Sequence, residues 1–252
     1  MQKQQDKKVK VALITGAGRR IGAEIARSLH ADGMKVILHY STSEKEAKKL
    51  CVQLNKQRKN SAITIKADLS MFANLNAMIQ EAVKMAGRLD VLVNNASVFY
   101  KTAIGKISSD TWDKLIDINL KAPFFLAQAA FPYLAKQKGS IVNLIDIHGS
   151  RPMSDYPVYC ISKAGLQMLT QTLARELGPR VRVNAVSPGT ILWPEGENSL
   201  SASDKQKLID RIALQRRGDV VDIAKAVLFL VRDANYTTGH NLIVDGGRLL
   251  SG

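Results

Sequence analysis

The chain has 252 residues, 46% of them apolar and 23% charged, and its 36 lysines and arginines outnumber 22 aspartates and glutamates for a net charge of +14. That length and composition suit one large α/β domain with a substantial core, and no apolar stretch approaches the roughly 20 residues of a membrane span. Two cysteines, Cys51 and Cys160, argue against a disulfide framework and fit a reducing cytoplasm, and without a Cys/His cluster at ligand spacing no metal is expected.

Residues 1–8 form a basic stretch with no apolar core of a signal peptide, so a solvated tail is expected there. The first strand is predicted over 9–15. It runs into the turn Thr15-Gly16-Ala17-Gly18-Arg19-Arg20-Ile21-Gly22 and a helix over 21–31. Gly16 permits a tight turn, and Gly22 lets the helix start come close to the sheet or a ligand. The helix start offers free N–H groups and a positive dipole end to a phosphate.

Strands then follow at 35–40, 62–67, 89–94, 140–145, 182–187 and 241–245, with helices at 43–58, 71–85, 110–136, 157–177 and 219–231. This alternation predicts a single Rossmann-type domain over 9–252, a doubly wound parallel sheet of about seven strands with helices on both faces. Ligands of such sheets bind beyond the carboxyl ends of the strands. The irregular stretch 189–203, with Pro194 and Gly196, is expected to be a mobile substrate loop. The basic residues are spread along the chain without a stripe of interleaved aromatics. The charge therefore reads as a solvated surface with a local excess near a site for anionic ligands, not as a nucleic-acid interface.

Tyr159 and Lys163 are four residues apart on a predicted helix and share a face. A fixed ammonium beside a phenol favours the phenolate, so Lys163 is expected to lower the Tyr159 pKa toward neutrality. Asp146 ends the apolar run beginning at Ser140 and can feed or orient a proton at the same place. Its other reading is a local cap on the turn after its strand.

Several motifs in fixed order resemble the short-chain dehydrogenase/reductase family: the glycine turn 15–22, Ala67-Asp68-Leu69-Ser70, Asn94-Asn95-Ala96-Ser97, Asn119, Tyr159 with Lys163, Ser187-Pro188-Gly189 and Val244-Asp245-Gly246-Gly247. Most members have glycine where Arg20 stands and serine where Asp146 stands. Both exchanges resemble the pteridine reductases, as do Phe99 and Tyr100 after Asn-Asn-Ala-Ser-Val, and the runs 38–40 and 60–70. Asp245-Gly246-Gly247-Arg248 is similar to the C-terminus of dihydromonapterin reductases.

The resemblance implies NADPH as cofactor, held by Gly16, Arg19, Arg20, Ile21, His39, Tyr40, Ser41, Asp68, Leu69, Asn95, Ala96, Ser97, Tyr159, Lys163, Pro188, Gly189, Thr190 and Ile191. No carboxylate follows the second strand, where NAD-preferring members carry one, and Thr42 stands where related pteridine reductases often have arginine. The resemblance also implies a pterin substrate in contact with Arg20, Ser97, Phe99, Asp146, Tyr159 and Trp193. Catalysis would fall to Asp146, Tyr159 and Lys163, with Asn119 supporting Lys163 through water. A homotetramer paired through the helices at 110–136 and 157–177 is expected, with Arg248 close to a neighbouring site. The competing expectation is a general carbonyl or 3-oxoacyl reductase, against which Asp146 argues because a carboxylate repels a developing alkoxide.

Overall fold

The computed structural model describes residues 9–193 and 200–251. The expected basic tail 1–8 and the positions 194–199 of the expected substrate loop, Pro194 and Gly196 included, lie outside the described residues.

Seven strands form one sheet in the order β3-β2-β1-β4-β5-β6-β7. They are β1 (Val11–Ile14), β2 (Lys35–Tyr40), β3 (Ala62–Lys66), β4 (Val91–Asn94), β5 (Ser140–Leu144), β6 (Arg182–Pro188) and β7 (Asn241–Val244). Every pairing is parallel. The strand order reverses between β1 and β4, which is where a doubly wound sheet opens a crevice for ligands.

Strand alternation divides the core into two layers. Ala12, Ile14, Val36, Leu38, Val91, Val93 and Val142 belong to one buried cluster. Their neighbours Val11, Leu13, Ile37, Leu92 and Ile141 belong to the other. Both sheet faces are thus apolar, as a parallel sheet covered on two sides requires.

The helices are α1 (Arg20–Ala31), α2 (Glu44–Gln57), α3 (Phe72–Ala86), α4 (Ser109–Ile116), α5 (Ala122–Lys136), α6 (Pro157–Leu177), α7 (Ala202–Asp210) and α8 (Val220–Arg232). Helical spacing selects their buried faces: α3 turns Leu75, Met78, Ile79 and Ala82 inward. Gly87, at φ 86°, ends that helix in the left-handed region. Asp219 and Asp222 form a capping box that starts α8.

Two expected boundaries move for physical reasons. The strand foreseen at 89–94 begins at Val91, because the Asp90 carboxylate takes the Val11 N–H at 2.8 Å in place of a regular ladder. Arg88 grips the same carboxylate from Nε at 2.8 Å and from Nη2 at 2.6 Å. The helix foreseen at 110–136 is divided: a π-helical turn, Asp117–Lys121, joins α4 to α5. The irregular stretch foreseen to 203 ends earlier, because α7 begins at Ala202 with Ser201 accepting from Asp204 N. That helix buries none of its residues, so it has no apolar stripe for periodicity to detect.

Candidate active site

A cleft of about 1160 Å³ lies over the carboxyl ends of the strands. Its floor is the junction of β1 and β4. Thr15 Oγ1 accepts from Asn95 N at 2.9 Å and from Ala96 N at 3.0 Å, while Asn95 Nδ2 donates to Thr15 O at 2.8 Å and to Gly16 O at 3.2 Å. A Cβ on Gly22 would stand 2.3 Å from Gly16 O and 2.5 Å from Asn95 Nδ2, so only glycine fits where the helix start meets this floor.

From the first turn Gly16, Arg19, Arg20 and Ile21 line the cleft. The first turn of α1 holds no acidic residue and Arg19 makes no side-chain cap, so the positive end of the helix dipole suits an anion. Arg20 begins the helix at φ 55°, a strained value for a residue with a Cβ. From the ends of β2 and β3 come His39, Ser41, Thr42, Asp68 and Leu69.

His39 is 1% exposed, and both its ring nitrogens are used. Nδ1 accepts from Gly16 N at 3.1 Å, so the proton sits on Nε2, which donates to Ala67 O at 3.2 Å. Burial lowers its pKa to about 4, keeping the ring neutral. His39 thus braces the glycine turn while it lines the wall. Tyr40, grouped with it in the sequence reading, is buried behind the wall and does not line the cleft.

Asp146 carries two hydrogen bonds. Its Oδ1 accepts from His148 N at 2.9 Å and caps a short turn, and its Oδ2 accepts from Tyr159 Oη at 2.8 Å. One oxygen thus caps the turn and the other meets the Tyr159 hydroxyl. Lys163, 2% exposed, donates from Nζ to Leu144 O at 3.0 Å. It lies 5.6 Å from the centroid of the Tyr159 ring.

The electrostatics correct one expectation. Lys163 does not bring the phenol toward neutrality: burial and the Asp146 carboxylate hold Tyr159 well above its ordinary range. Burial instead lowers Lys163 to about 8, with Asp146 opposing that fall. The phenol therefore stays protonated, which suits a proton donor.

Asn119 is brought to this region by the π turn, and its direct partners lie in the cleft wall. Its Oδ1 accepts from Ser97 Oγ at 3.0 Å and Val98 N at 2.9 Å; its Nδ2 donates to Val98 O at 3.0 Å and Ser162 Oγ at 3.1 Å. All four hydrogen-bonding positions of the amide are filled within the wall.

Phe99 lies in the cleft wall, stacked on Tyr156 at 4.4 Å between centroids and 12° between planes, and edge-on to Tyr159 at 4.8 Å. Tyr156, the residue just before α6, was not foreseen, because it lies outside the helical pattern that carries Tyr159. Nor were Asp110, Asp113, Lys114 and Asp117, which also line the cleft. Ala96, Ser97, Pro188, Gly189 and Ile191 line the cleft as expected. Thr190 and Trp193 do not line it; the Trp193 ring lies 5.8 Å from Lys205 Nζ.

Comparison with known proteins gives a consistent picture. A family model described as "Enoyl-(Acyl carrier protein) reductase" matches residues 16–248. Pteridine reductase 1 of Leishmania tarentolae is 36% identical, the match covering 96% of each chain. A 3-oxoacyl-[acyl-carrier-protein] reductase of Staphylococcus epidermidis is 37% identical over 94% of this chain and 98% of the relative. Among solved structures, a blue fluorescent protein from a metagenomic library, in complex with NADPH, superposes with a TM-score of 0.88 at 35% identity. That match covers 95% of this chain and 97% of the other.

Proposed function

The chain is a member of the short-chain dehydrogenase/reductase family, and on that premise we propose that it is an NADPH-dependent reductase that converts dihydropterins to tetrahydropterins. Overall identity does not separate the pteridine reductase from the 3-oxoacyl reductase among its relatives, at 36% and 37%. The observation that carries the reading is local: the carboxylate of Asp146 accepts the Tyr159 hydroxyl at 2.8 Å.

A dinucleotide fits the residues present. The uncapped start of α1 suits the pyrophosphate, and Arg19 beside a wall of Ser41 and Thr42 suits a 2′-phosphate. NADPH supplies the hydride when bound. Tyr159 holds a proton for the nitrogen next to the ring carbon that is reduced. Asp146 receives the Tyr159 hydrogen bond, and once its carboxylate has taken a proton from water in the cleft it can return one to the phenolate along that bond. A buried ammonium on Lys163 offsets the negative charge left on the phenol as the proton departs. Phe99 offers an aromatic face to a flat heterocycle, with its other face on Tyr156. In ordinary carbonyl reduction the same carboxylate would oppose the alkoxide, so Asp146 favours a substrate with ring nitrogens and N–H donors.

Purified protein should be assayed with NADPH against dihydrobiopterin, dihydromonapterin, dihydrofolate and an acetoacetyl thioester. Turnover of a dihydropterin at least tenfold above the thioester in kcat/KM is expected. The reverse order would assign the chain to carbonyl chemistry.

A further inference from the structure

Outside the cleft lining, three loops at the carboxyl edge of the sheet converge on a group of arginines. Leu214 N donates to Gly246 O at 3.1 Å, and a Cβ on Gly247 would stand 2.7 Å from Ala213 Cβ, so the segment after Arg211 packs on the turn leading to Arg248. Ser251 joins the remaining parts: its Oγ donates to Arg211 O at 2.5 Å, and its carbonyl accepts from Arg151 Nη1. Gly247, at φ 83°, turns the chain so that Arg248 is only 9% exposed.

Arg248 Nη1 is buried and meets no hydrogen-bond partner among the described residues. None of the three arginines enters a salt bridge among those residues. Asp245 faces the group, but its oxygens accept from Gly247 N and Leu249 N, each at 2.8 Å. Burial and the neighbouring charges of Arg151 and Arg211 all disfavour the Arg248 cation. A guanidinium cannot shed its proton in any ordinary buffer, so a buried one without a partner calls for an anion.

We propose that Arg151, Arg211 and Arg248 form a binding site for a small oxyanion of the phosphate or carboxylate type. The planar forks of the guanidiniums match paired oxygens of such a group. The oxyanion can be a free ion or a carboxylate carried by a second copy of the chain.

Thermal melts of the full chain in phosphate and in chloride, at matched ionic strength, test this. Wild type is compared with Arg248→Met and with Arg211→Gln, the latter at an exposed position where the fold is not at stake. A saturable rise of about 5–10 °C at a hundredfold excess of phosphate over its Kd, absent from both variants, is the result expected for a free oxyanion. A melt insensitive to phosphate, with a smaller particle in light scattering for both variants, would assign the oxyanion to a second copy. Equal melts in the two salts with unchanged particle mass in both variants would overturn the site.

Discussion

A reductase needs its proton donor protonated at working pH, and the surroundings of Tyr159 secure this through burial and the carboxylate at 2.8 Å. Asp146→Ser keeps a hydroxyl that can donate one hydrogen bond but loses the carboxyl group that holds and relays a proton. Dihydropterin turnover is expected to fall by about a hundredfold or more, the scale of a positioned acid–base group, while NADPH binding and the melting temperature change little. If Oδ1 capping of His148 were the only role of Asp146, serine would retain near-normal turnover. Lys163 adds a pH dependence. Its ammonium is lost as pH rises through about 8, so kcat/KM is expected to decline above that value. Asp146→Ser removes the charge that supports the ammonium and should move this limb to lower pH. An unfolded lysine titrates near 10.4, so the folded chain binds fewer protons between about 8 and 10. Lys163 therefore makes stability rise with pH across that window, and its penalty is constant below it. Cofactor choice also belongs at this scale. No carboxylate occupies 39–43 and Arg19 lines the wall, so kcat/KM for NADPH should exceed that for NADH at least tenfold.

The π turn between α4 and α5 has a single buried residue, Asn119, whose amide closes four hydrogen bonds across two other segments. It joins the strand end that carries Ser97 and Val98 to Ser162 on α6, the helix that carries Tyr159 and Lys163. Asn119→Ala would leave the Val98 N–H and C=O without these partners. A loss of about 2–3 kcal/mol in chemical denaturation is expected, with activity lost alongside it. A residue that served Lys163 alone would leave stability untouched. The apolar pattern over 110–136 was readable as helix, but not its π-helical interruption. A π turn is set by where Asn119 finds partners, and Val98 and Ser162 are 21 and 43 residues away. Helix α7 escaped for the opposite reason, having no buried face at all.

At the scale of the molecule, α5 and α6 leave apolar side chains in the open: Phe124 is 41% exposed, Ile161 48% and Met168 61%. These are the helices expected to pair subunits, and a tetramer is the assembly we propose. Light scattering at micromolar concentration should give about four times the mass of the chain. Replacing Met168 by lysine should lower that mass, since charge is depleted from the core of such interfaces. A monomer in the wild type would contradict the assembly. In the same way the cleft belongs to the whole sheet, because it lies where the strand order reverses between the paired strands β1 and β4.

Strand alternation, helical spacing and glycine placement are local properties, and they were enough to lay out seven parallel strands, the glycine turn at 16–22 and the shared face of Tyr159 and Lys163. Motif order likewise gathered most of the cleft, from Arg19 to Ile191. Tertiary structure decided the rest, because it depends on distances between residues far apart in sequence. It turned Asp146 toward Tyr159 and so raised the phenol where a neighbouring lysine alone would have lowered it. It made His39 a brace for Gly16, left Tyr40 behind the wall and stacked Tyr156 on Phe99. Charge shows the same division: the count of +14 follows from composition, but burial alone distinguishes Arg248 from the other arginines. A pKa or a buried charge is set by what surrounds a group, and those surroundings come together only when the chain folds.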